Sequence, residues 1–335
     1  MNSLASADGA PLPPLPTLTD IKDAAGRLAG RAVRTPLIES SALNKMTGGR
    51  LLIKAEMLQR TGSFKFRGAY NRISRLDAAE HEAGIITYSS GNHGQAVAAV
   101  AAMFSIPATV IMPADAPSMK LEATSGHGAT VITYDRATET REEIAAQIMA
   151  KSGATLIQPF DDPLIIAGQG TAGLEIVEQA DDIGVGLDAA LVPCGGGGLI
   201  AGISTAIGSQ HPKTQIYAVE PEAFDDTKRS LKSGKREKIL PGGTSICDAL
   251  LVPQPGRMTF AVNAERLAGG LSVTDAEVMG AMAVAFQYLK VVVEPGGAVA
   301  LAAVLSGRFE CLDRTVAIVC SGGNVDAETF DAALR

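Results

Sequence analysis

The sequence predicts an α/β fold in which parallel strands carry helices on both faces, and three observations support this. From Asp20 onward, short apolar runs alternate with helical patterns. The apolar runs are nearly continuous in Val, Ile and Ala, as is typical of strands buried on both faces of a sheet. The chain has 36 glycines and only 4% aromatic residues, a balance that suits close packing of helices on sheets.

The predicted elements follow one another from the first helix onward. One face of that helix carries four apolar residues, Ile21, Ala24, Ala25 and Leu28. A late helix begins at Thr274, because TDAE matches a capping box ahead of an apolar stripe. Strands are predicted at 50–55, 84–88, 108–112, 129–133, 154–157, 188–193, 215–219 and 315–319. Sheets of this kind bind ligands at the carboxyl ends of their strands.

The composition limits the class of protein and of partner. With 335 residues, 46% of them hydrophobic and 19% charged, the chain can bury a large core and is expected to divide it between two domains. The formal charge is −7, without a cluster of Lys and Arg, which argues against a nucleic-acid or anionic-membrane partner. A small solute is the expected ligand.

The sequence also predicts a cytoplasmic protein without a membrane anchor. Residues 1–16 lack the charged and apolar regions of a signal peptide and are expected to form a flexible Pro-rich arm. The most apolar stretch, residues 291–305, is interrupted by Glu294 and Pro295, which is wrong for a membrane span. The scattered cysteines show no metal-type spacing and are expected to be reduced thiols: Cys194, Cys247, Cys311 and Cys320.

The stretch TGSFKFRGA, residues 61–69, places Lys65 between two phenylalanines. A lysine among apolar neighbours has a lowered pKa and becomes a usable nucleophile or base. Such an amine suits Schiff-base chemistry. The alternative is a salt-bridged lysine at the start of a helix that carries Arg67 and Arg72.

The first unusual strand end is SSGNHG, Ser89 to Gly94, between a predicted strand and a predicted helix. Free amides at a helix start, with two hydroxyls and the Asn92 amide, can bind a carboxylate or phenolate oxygen. The alternative is an ordinary helix cap, for which Ser and Asn are favoured residues.

The second is CGGGGLIAG, Cys194 to Gly202. Consecutive glycines let backbone N–H groups converge on a phosphate, because no Cβ blocks the approach. A flexible linker is disfavoured by the position between strand and helix. A dinucleotide pattern is also satisfied, by Gly196, Gly198 and Ala201 with Glu220 about twenty residues on, so an NAD-dependent dehydrogenase is an open alternative.

The third is CSGGN, Cys320 to Asn324, after the last predicted strand. It offers a hydroxyl and a flexible backbone at a strand terminus. By itself the motif indicates only a turn.

Together these motifs resemble the fold-type II pyridoxal phosphate (PLP) enzymes, specifically the threonine/serine dehydratase and serine racemase group. The resemblance runs in order from about Asp20 to the C-terminus, and its motifs are GSFKFRGA, SSGNHGQA, GGGG, IAGQGTAGLEI and SGGNVD. It implies a tryptophan synthase β-like fold with two open, twisted, mostly parallel sheets flanked by helices, in two domains. The large domain would comprise residues 17–83 and 162–335, and the small substrate-closing domain residues 84–161.

The resemblance also implies a role for each motif residue. Lys65 would bind the cofactor covalently and act as catalytic base, with Phe64 packed beside it. Ser90 would be the second catalytic acid or base, opposite the lysine. The remaining cofactor ligands would be Asn92, Gly195, Gly196, Gly197, Gly198 and Ser321. The loop that binds the substrate carboxylate would contain Ser89, Ser90, Asn92 and His93.

EPEAFDD resembles the divalent-cation site of serine racemases and related dehydratases. The resemblance implies Glu220 and Asp226 as carboxylate ligands, with the Phe224 carbonyl between them. Hard oxygen donors suit Mg²⁺ or Ca²⁺. The alternative is a solvated acidic turn.

The activity implied is dehydration of L-threonine or L-serine to a 2-oxo acid and ammonia, by a homodimer that acts on a free amino acid. Phe160, an aromatic residue that dehydratases often carry there, favours threonine. Serine racemase and 3-hydroxyaspartate dehydratase are the alternatives, and Arg141 could bind the second carboxylate of 3-hydroxyaspartate or form a surface pair. A non-catalytic amino-acid-binding module requires an unreactive Lys65.

Overall fold

Two sheets, one of six strands and one of four, organise the protein. The structure is a computed structural model, and it describes residues 11–89, 91–116, 118–135 and 137–335. In that part of the chain the strands are β1 (Leu37–Ile38), β2 (Arg50–Ala55), β3 (Ile85–Tyr88), β4 (Ala108–Pro113), β5 (Thr130–Tyr134), β6 (Thr155–Leu156), β7 (Ala189–Pro193), β8 (Gln215–Pro221), β9 (Gly269–Val273) and β10 (Thr315–Cys320).

Helices precede, separate and follow these strands. They are α1 (Leu18–Leu28), α2 (Ser41–Thr47), α3 (Lys65–Ile73), α4 (Ala78–Ala83), α5 (Asn92–Phe104), α6 (Ser118–Gly126), α7 (Arg141–Ser152), α8 (Pro163–Asp182), α9 (Gly198–Gln210), α10 (Asp226–Ser233), α11 (Arg257–Arg266), α12 (Asp275–Val284), α13 (Pro295–Leu305) and α14 (Ala327–Leu334). None of the described helices combines the length and the apolarity needed to cross a membrane.

The strand order shows where the chain crosses between layers. The large sheet runs β1-β2-β10-β7-β8-β9, and the small sheet runs β5-β4-β3-β6. All neighbouring pairs are parallel except β1 with β2. The α/β class predicted from the sequence is therefore confirmed. The predicted domain boundaries at residues 84 and 161 stay a prediction, although the small sheet falls wholly between them.

All eight predicted strands are present, with ends that differ by at most two residues. Two strands escaped prediction. β1 has only two residues, too few to show a pattern. β9 begins with Gly269 and Gly270 and is mostly half-buried, so it lacks the apolar run of a central strand. The capping box predicted at Thr274 is present, with its side chain accepting from the Glu277 amide.

The motif IAGQGTAGLEI lies in α8, a helix of 20 residues that packs against α3 on one side and α9 on another. Its glycines permit unusually close helix contacts. A Cβ at Gly168 would lie 2.7 Å from the Arg67 carbonyl of α3, and a Cβ at Gly173 would lie 2.9 Å from Ala206 Cβ of α9. The small residues of this motif therefore serve packing between helices.

A buried ionic cluster joins α3, β2 and α8, and we refer to it as the Arg67 cluster: Arg67, Glu56, Glu175 and Lys54. Arg67 is 1% exposed and pairs with Glu56 at 2.8 Å and with Glu175 at 2.7 Å. Lys54 pairs with Glu175 at 2.6 Å. Burial alone would raise the pKa of Glu56, but the charges of Arg67 and Lys54, together with hydrogen bonds from Arg67 and Thr35, outweigh burial and hold that pKa below its usual range.

We predict that Arg67→Met lowers the free energy of unfolding by about 3–5 kcal/mol, because the change leaves the fully buried Glu56 carboxylate without its partner. Urea-induced unfolding followed by circular dichroism measures this. The control is Arg50→Met, which removes an exposed pair with Glu39 and should cost about 1 kcal/mol or less. Equal losses in the two variants would contradict the role assigned to the Arg67 cluster.

Candidate active site

Lys65 begins α3, and Ser63 and Phe64 separate it from a 3₁₀ turn, Arg60–Gly62. We refer to residues 60–65 as the lysine turn. The Lys65 Nζ donates to the Pro159 carbonyl at 2.7 Å and lies 5.2 Å from the centre of the Phe64 ring. Loss of water around the amine lowers the pKa of Lys65 to about 8, in spite of the opposing charge of Glu294. The amine therefore deprotonates far more easily than that of an ordinary lysine.

The helix that Lys65 starts does carry paired arginines, as the alternative interpretation required. Arg67 belongs to the buried cluster, and Arg72 lies 3.4 Å from Asp162. Lys65 itself makes no ion pair with any described residue. The alternative interpretation is therefore wrong, because Lys65 is not salt-bridged. The ion pairs of this helix are made by Arg67 and Arg72.

The lysine turn packs directly on the SGGN turn that follows β10. The Phe64 amide donates to the Ser321 carbonyl at 3.1 Å, and Ser63 forms an isolated bridge with Gly322. Ser321 is buried, with 3% exposure. Two motifs that are more than 250 residues apart along the sequence are thus joined at adjacent strand ends.

Asn92, the first residue of α5, connects the SSGNHG segment to this junction. Its Nδ2 donates to Glu294 Oε1 at 2.6 Å, and its Oδ1 accepts from Asn324 Nδ2 at 2.7 Å. Asn324 also donates to the Thr61 carbonyl at 2.8 Å. These bonds fix which end of the Asn92 amide faces which neighbour, so a donor is held beside the lysine turn.

Glu294 is a site residue that the sequence reasoning missed. Its carboxyl is 2% exposed, and burial, reinforced by the charge of Asp248, raises its pKa to about 8. Glu294 is therefore mainly a neutral acid near pH 7. A signal was present, because this acid interrupts an otherwise apolar run.

The other members of the SSGNHG segment differ in their surroundings. His93 is buried, and its Nε2 lies 3.2 Å from the Ile157 carbonyl, while Nδ1 has no partner among the described residues. Burial, together with the charge of Lys65, lowers the pKa of His93 to about 3, so the ring is neutral. The Ser89 hydroxyl accepts from the Gly91 amide at 3.3 Å. Ser90 lies outside the described residues, and its role stays a prediction.

The glycine loop, Cys194–Gly198, turns between β7 and α9. Gly197 has φ 89°, a conformation that favours glycine. A Cβ at Gly196 would lie 2.4 Å from the Phe160 ring. None of the backbone amides of residues 195–198 donates a hydrogen bond to another described residue. Four free donors in a loop that no Cβ obstructs fit an anionic phosphate group.

Phe160 and Arg141 lie near different parts of the site. The Phe160 ring packs on the glycine loop, and the residue before it, Pro159, holds the Lys65 amine. The Arg141 guanidinium lies 5.0 Å from the centre of the Tyr88 ring, and its Nε donates to Glu142 at 2.8 Å. Tyr88 directly precedes the SSGNHG segment.

The acidic motif EPEAFDD lies at the end of β8, behind the glycine loop. Glu220 accepts from the Thr227 and Lys228 amides, each at 2.8 Å, and is fully buried. Burial, together with the charge of Asp226, raises the pKa of Glu220 well above its usual range. Burial likewise raises the pKa of Asp226 to about 7, and its Oδ2 is buried without a partner in the described structure.

This geometry excludes the solvated acidic turn, since both carboxylates are buried. It fits a cation, because an unpartnered carboxylate oxygen beside a second carboxylate is costly unless positive charge compensates it. The part of the chain that the structure describes contains no group of three or more His, Cys, Asp or Glu side chains that could hold a metal ion. The expected third ligand is a backbone carbonyl, that of Phe224, so the cation stays a prediction.

The fold and this site define a PLP-dependent enzyme. The family described as "Pyridoxal-phosphate dependent enzyme" matches residues 29–321, and the chain belongs to it. The family match confirms the predicted fold class, and it gives no support to the NAD-dependent alternative.

Individual relatives show which activities occur among proteins similar to this chain. Serine racemase of Dictyostelium discoideum is 41% identical over 322 residues, which cover 95% of this chain and 98% of the relative. L-threo-3-hydroxyaspartate ammonia-lyase of Pseudomonas sp is 42% identical, with 94% and 98% covered. The crystal structure of a T.th. threonine deaminase superposes with a TM-score of 0.87 at 43% identity, covering 93% of this chain and 99% of that one. Ammonia-lyases among these relatives agree with the predicted lyase class.

Proposed function

We propose that the protein is a PLP-dependent L-threonine/L-serine ammonia-lyase. It would eliminate water from a β-hydroxy amino acid, and water would then hydrolyse the released enamine, so that the net products are 2-oxobutanoate or pyruvate and ammonia. The observation that carries the proposal is that consecutive residues, Pro159 and Phe160, contact a lysine amine with a pKa of about 8 and a glycine loop with free amides. When bound, the cofactor would supply an electron sink for the α-carbon of the amino acid.

Different residues would hold different groups of that cofactor. Lys65 would bind it covalently, the amides of Gly195–Gly198 would hold its phosphate, and Asn92 would donate to its phenolic oxygen. The buried Ser321 would lie at the pyridine nitrogen, where a neutral hydroxyl does not favour a protonated ring. Phe64 and Phe160 supply aromatic packing beside the amine and the loop.

The same residues account for the proton transfers. The Lys65 amine, whose pKa is lowered by burial, is a competent base for the α-proton. Ser89, Ser90, Asn92 and His93 would form the loop that binds the substrate carboxylate, and the neutral His93 ring, whose Nε2 donates to the Ile157 carbonyl, would hold that loop in place. Closure of residues 84–161, a separate small domain in this proposal, would exclude water from the cleft.

Two other activities stand close to the proposed one, because relatives of similar identity are a serine racemase and a hydroxyaspartate ammonia-lyase. Arg141 favours the second of these: its guanidinium lies over Tyr88, next to the carboxylate-binding segment, and could turn toward a second carboxylate. Phe160 favours threonine, although one methyl group in an apolar pocket is worth only about 1–3 kcal/mol.

The assembly and location are part of the same proposal. We infer a homodimer in the cytoplasm. The four cysteines are free and buried, which suits a reducing compartment. The predicted substrate is a free amino acid, and no nucleic-acid or membrane partner is expected.

We predict that the purified protein is yellow, that borohydride fixes a pyridoxyl group on Lys65, and that Lys65→Ala lacks both properties and all oxo-acid production. Mass spectrometry after reduction locates the adduct. An assay of oxo acid with L-threonine, L-serine and 3-hydroxyaspartate ranks the substrates, and we expect threonine to lead. A colourless protein without an adduct at Lys65 would leave only the binding-module alternative.

We predict that Ser90→Ala keeps most L-threonine and L-serine deamination but loses any formation or turnover of D-serine, because elimination needs one base and inversion needs a group on the opposite face. Chiral chromatography of the serine pool and the oxo-acid assay measure the two activities. Racemisation that outpaces deamination in the wild type would make the protein a racemase instead. A Ser90→Ala variant as inactive as Lys65→Ala would show that Ser90 serves elimination too.

We predict that Mg²⁺ or Ca²⁺ raises the melting temperature, since a ligand at 100 times its Kd stabilises a folded protein by about 2.7 kcal/mol. The gain should be larger at pH 8 than at pH 6, because protons compete for Asp226, whose pKa is about 7. Asp226→Asn should abolish it. The control is Asp225→Asn, which alters the neighbouring carboxylate paired with Arg229. A melting temperature that chelator leaves unchanged would refute the cation site.

A further inference from the structure

The carbonyl groups of the glycine loop are held from one side by α11. Thr259 Oγ1 donates to the Gly196 carbonyl at 2.6 Å, and the Gly256 amide reaches the same oxygen at 3.3 Å. Asn263 Nδ2, one turn further along α11, lies 3.4 Å from the Gly197 carbonyl, which also accepts from the Ala201 amide of α9 at 2.9 Å. Thr259 and Asn263 are 0% and 1% exposed, so these bonds are shielded from water.

The direction of these carbonyls decides where the loop amides point. Across a trans peptide bond, the C=O of one residue and the N–H of the next lie in one plane and point in opposite directions. Holding the Gly196 carbonyl toward Thr259 therefore directs the Gly197 amide away from α11. Holding the Gly197 carbonyl toward Asn263 does the same for the Gly198 amide.

The glycines cannot impose this arrangement themselves. Glycine has access to a wider range of backbone conformations than any other residue, and ordering it costs the most entropy. The loop therefore needs an external constraint to present its amides together. In the described structure, α11 supplies that constraint at the Gly196 carbonyl through Thr259, and it shares the Gly197 carbonyl with the first turn of α9.

α11 is itself fixed in place by the segment that precedes α8. The Asp161 carboxylate accepts from the amides of Arg257, Met258 and Thr259 at 2.9, 2.9 and 3.1 Å. This approach requires glycine at position 256, because a Cβ there would lie 2.4 Å from Asp161 Oδ1. The Thr259 hydroxyl thus has a well-defined position relative to the loop.

We propose that Thr259, assisted by Asn263, is a positioning residue for recognition of the cofactor's phosphate, acting through the peptide planes of Gly196 and Gly197. The inference rests on the proposed function, in which the glycine loop binds that phosphate. Neither side chain contacts the phosphate in this proposal. Their effect is to keep two amides directed toward it.

The test compares two ligands that differ only in the phosphate. PLP and pyridoxal are titrated separately into the full-length protein freed of cofactor by dialysis against hydroxylamine, and the visible absorbance band gives each Kd. We expect Thr259→Val to raise the Kd of PLP about tenfold, because the Gly196 carbonyl loses its strongest partner. We expect the Kd of pyridoxal to change less than about twofold.

Two variants serve as matched controls. Thr259→Ser keeps the hydroxyl and should restore the wild-type ratio of the two Kd values. Thr205→Val removes another fully buried hydroxyl, which donates to the Ala201 carbonyl at 2.8 Å inside α9, and should leave the ratio unchanged. The ³¹P resonance of the bound cofactor should shift in Thr259→Val and stay in place in Thr205→Val.

If Thr259→Val does not fold, Asn263→Leu tests the same positioning role. The Oδ1 atom of Asn263 is buried without a partner in the described structure, so the leucine removes only the bond to the Gly197 carbonyl, which still accepts from the Ala201 amide at 2.9 Å. We expect about a threefold rise in the Kd of PLP alone, since the bond that is lost is long. Equal weakening of PLP and pyridoxal, or no weakening of either, would overturn the proposal.

The outcome for the wild type separates this inference from the proposed function. If the wild type binds PLP and pyridoxal equally well, the glycine loop does not recognise phosphate and the proposed cofactor site fails. If the wild type prefers PLP and every variant keeps that preference, the site stands and only the positioning role is wrong.

Discussion

The structure depends on the way in which Arg67 is neutralised. Glu56, Glu175 and Lys54 surround it. None of these charges could stay buried alone without a cost of several kcal/mol. Because Arg67 lies two residues after Lys65, the same ion pairs that close the interior also fix the first turn of α3. The Lys65 amine therefore lies at the N-terminus of a helix whose first turn is held in place by ion pairs. The surroundings of Lys65 itself can remain dry and apolar.

From that fixed turn, hydrogen bonds carry the constraint to the other strand ends. The Phe64 amide binds the Ser321 carbonyl, and Asn324 reaches both the Thr61 carbonyl and Asn92. Each bond uses a backbone group or a primary amide, which have fixed donor and acceptor directions. The junction is thus defined by direction as well as by proximity, as cofactor and substrate groups of fixed geometry require.

The sequence was sufficient to predict the strands with continuous apolar runs and the motifs that carry local chemistry, because both signals lie within a few consecutive residues. It was insufficient for Glu294, Asn324 and Thr259, whose partners are 202, 232 and 63 residues away. A glutamate in an apolar run indicates that something unusual is buried, but only the fold shows that its neighbour is Asn92. β9 was missed for a related reason, since Gly270 in this strand accommodates Lys228, a residue more than 40 positions away, rather than following a strand pattern.

Burial, rather than ion pairing, decides which side chains of the candidate active site are charged. Glu294 receives a hydrogen bond from Asn92, which favours the ionised form, yet the loss of water raises its pKa to about 8. An ionised carboxylate there would repel the two anionic groups that the proposed function brings in, a phosphate and an α-carboxylate. His93 is neutral for the same reason, whereas Lys65, with a pKa of about 8, carries a positive charge near pH 7. The exclusion of water that lowers the pKa of Lys65 therefore also keeps Glu294 protonated. This one property prepares both the base and the sites that would bind the two anionic groups.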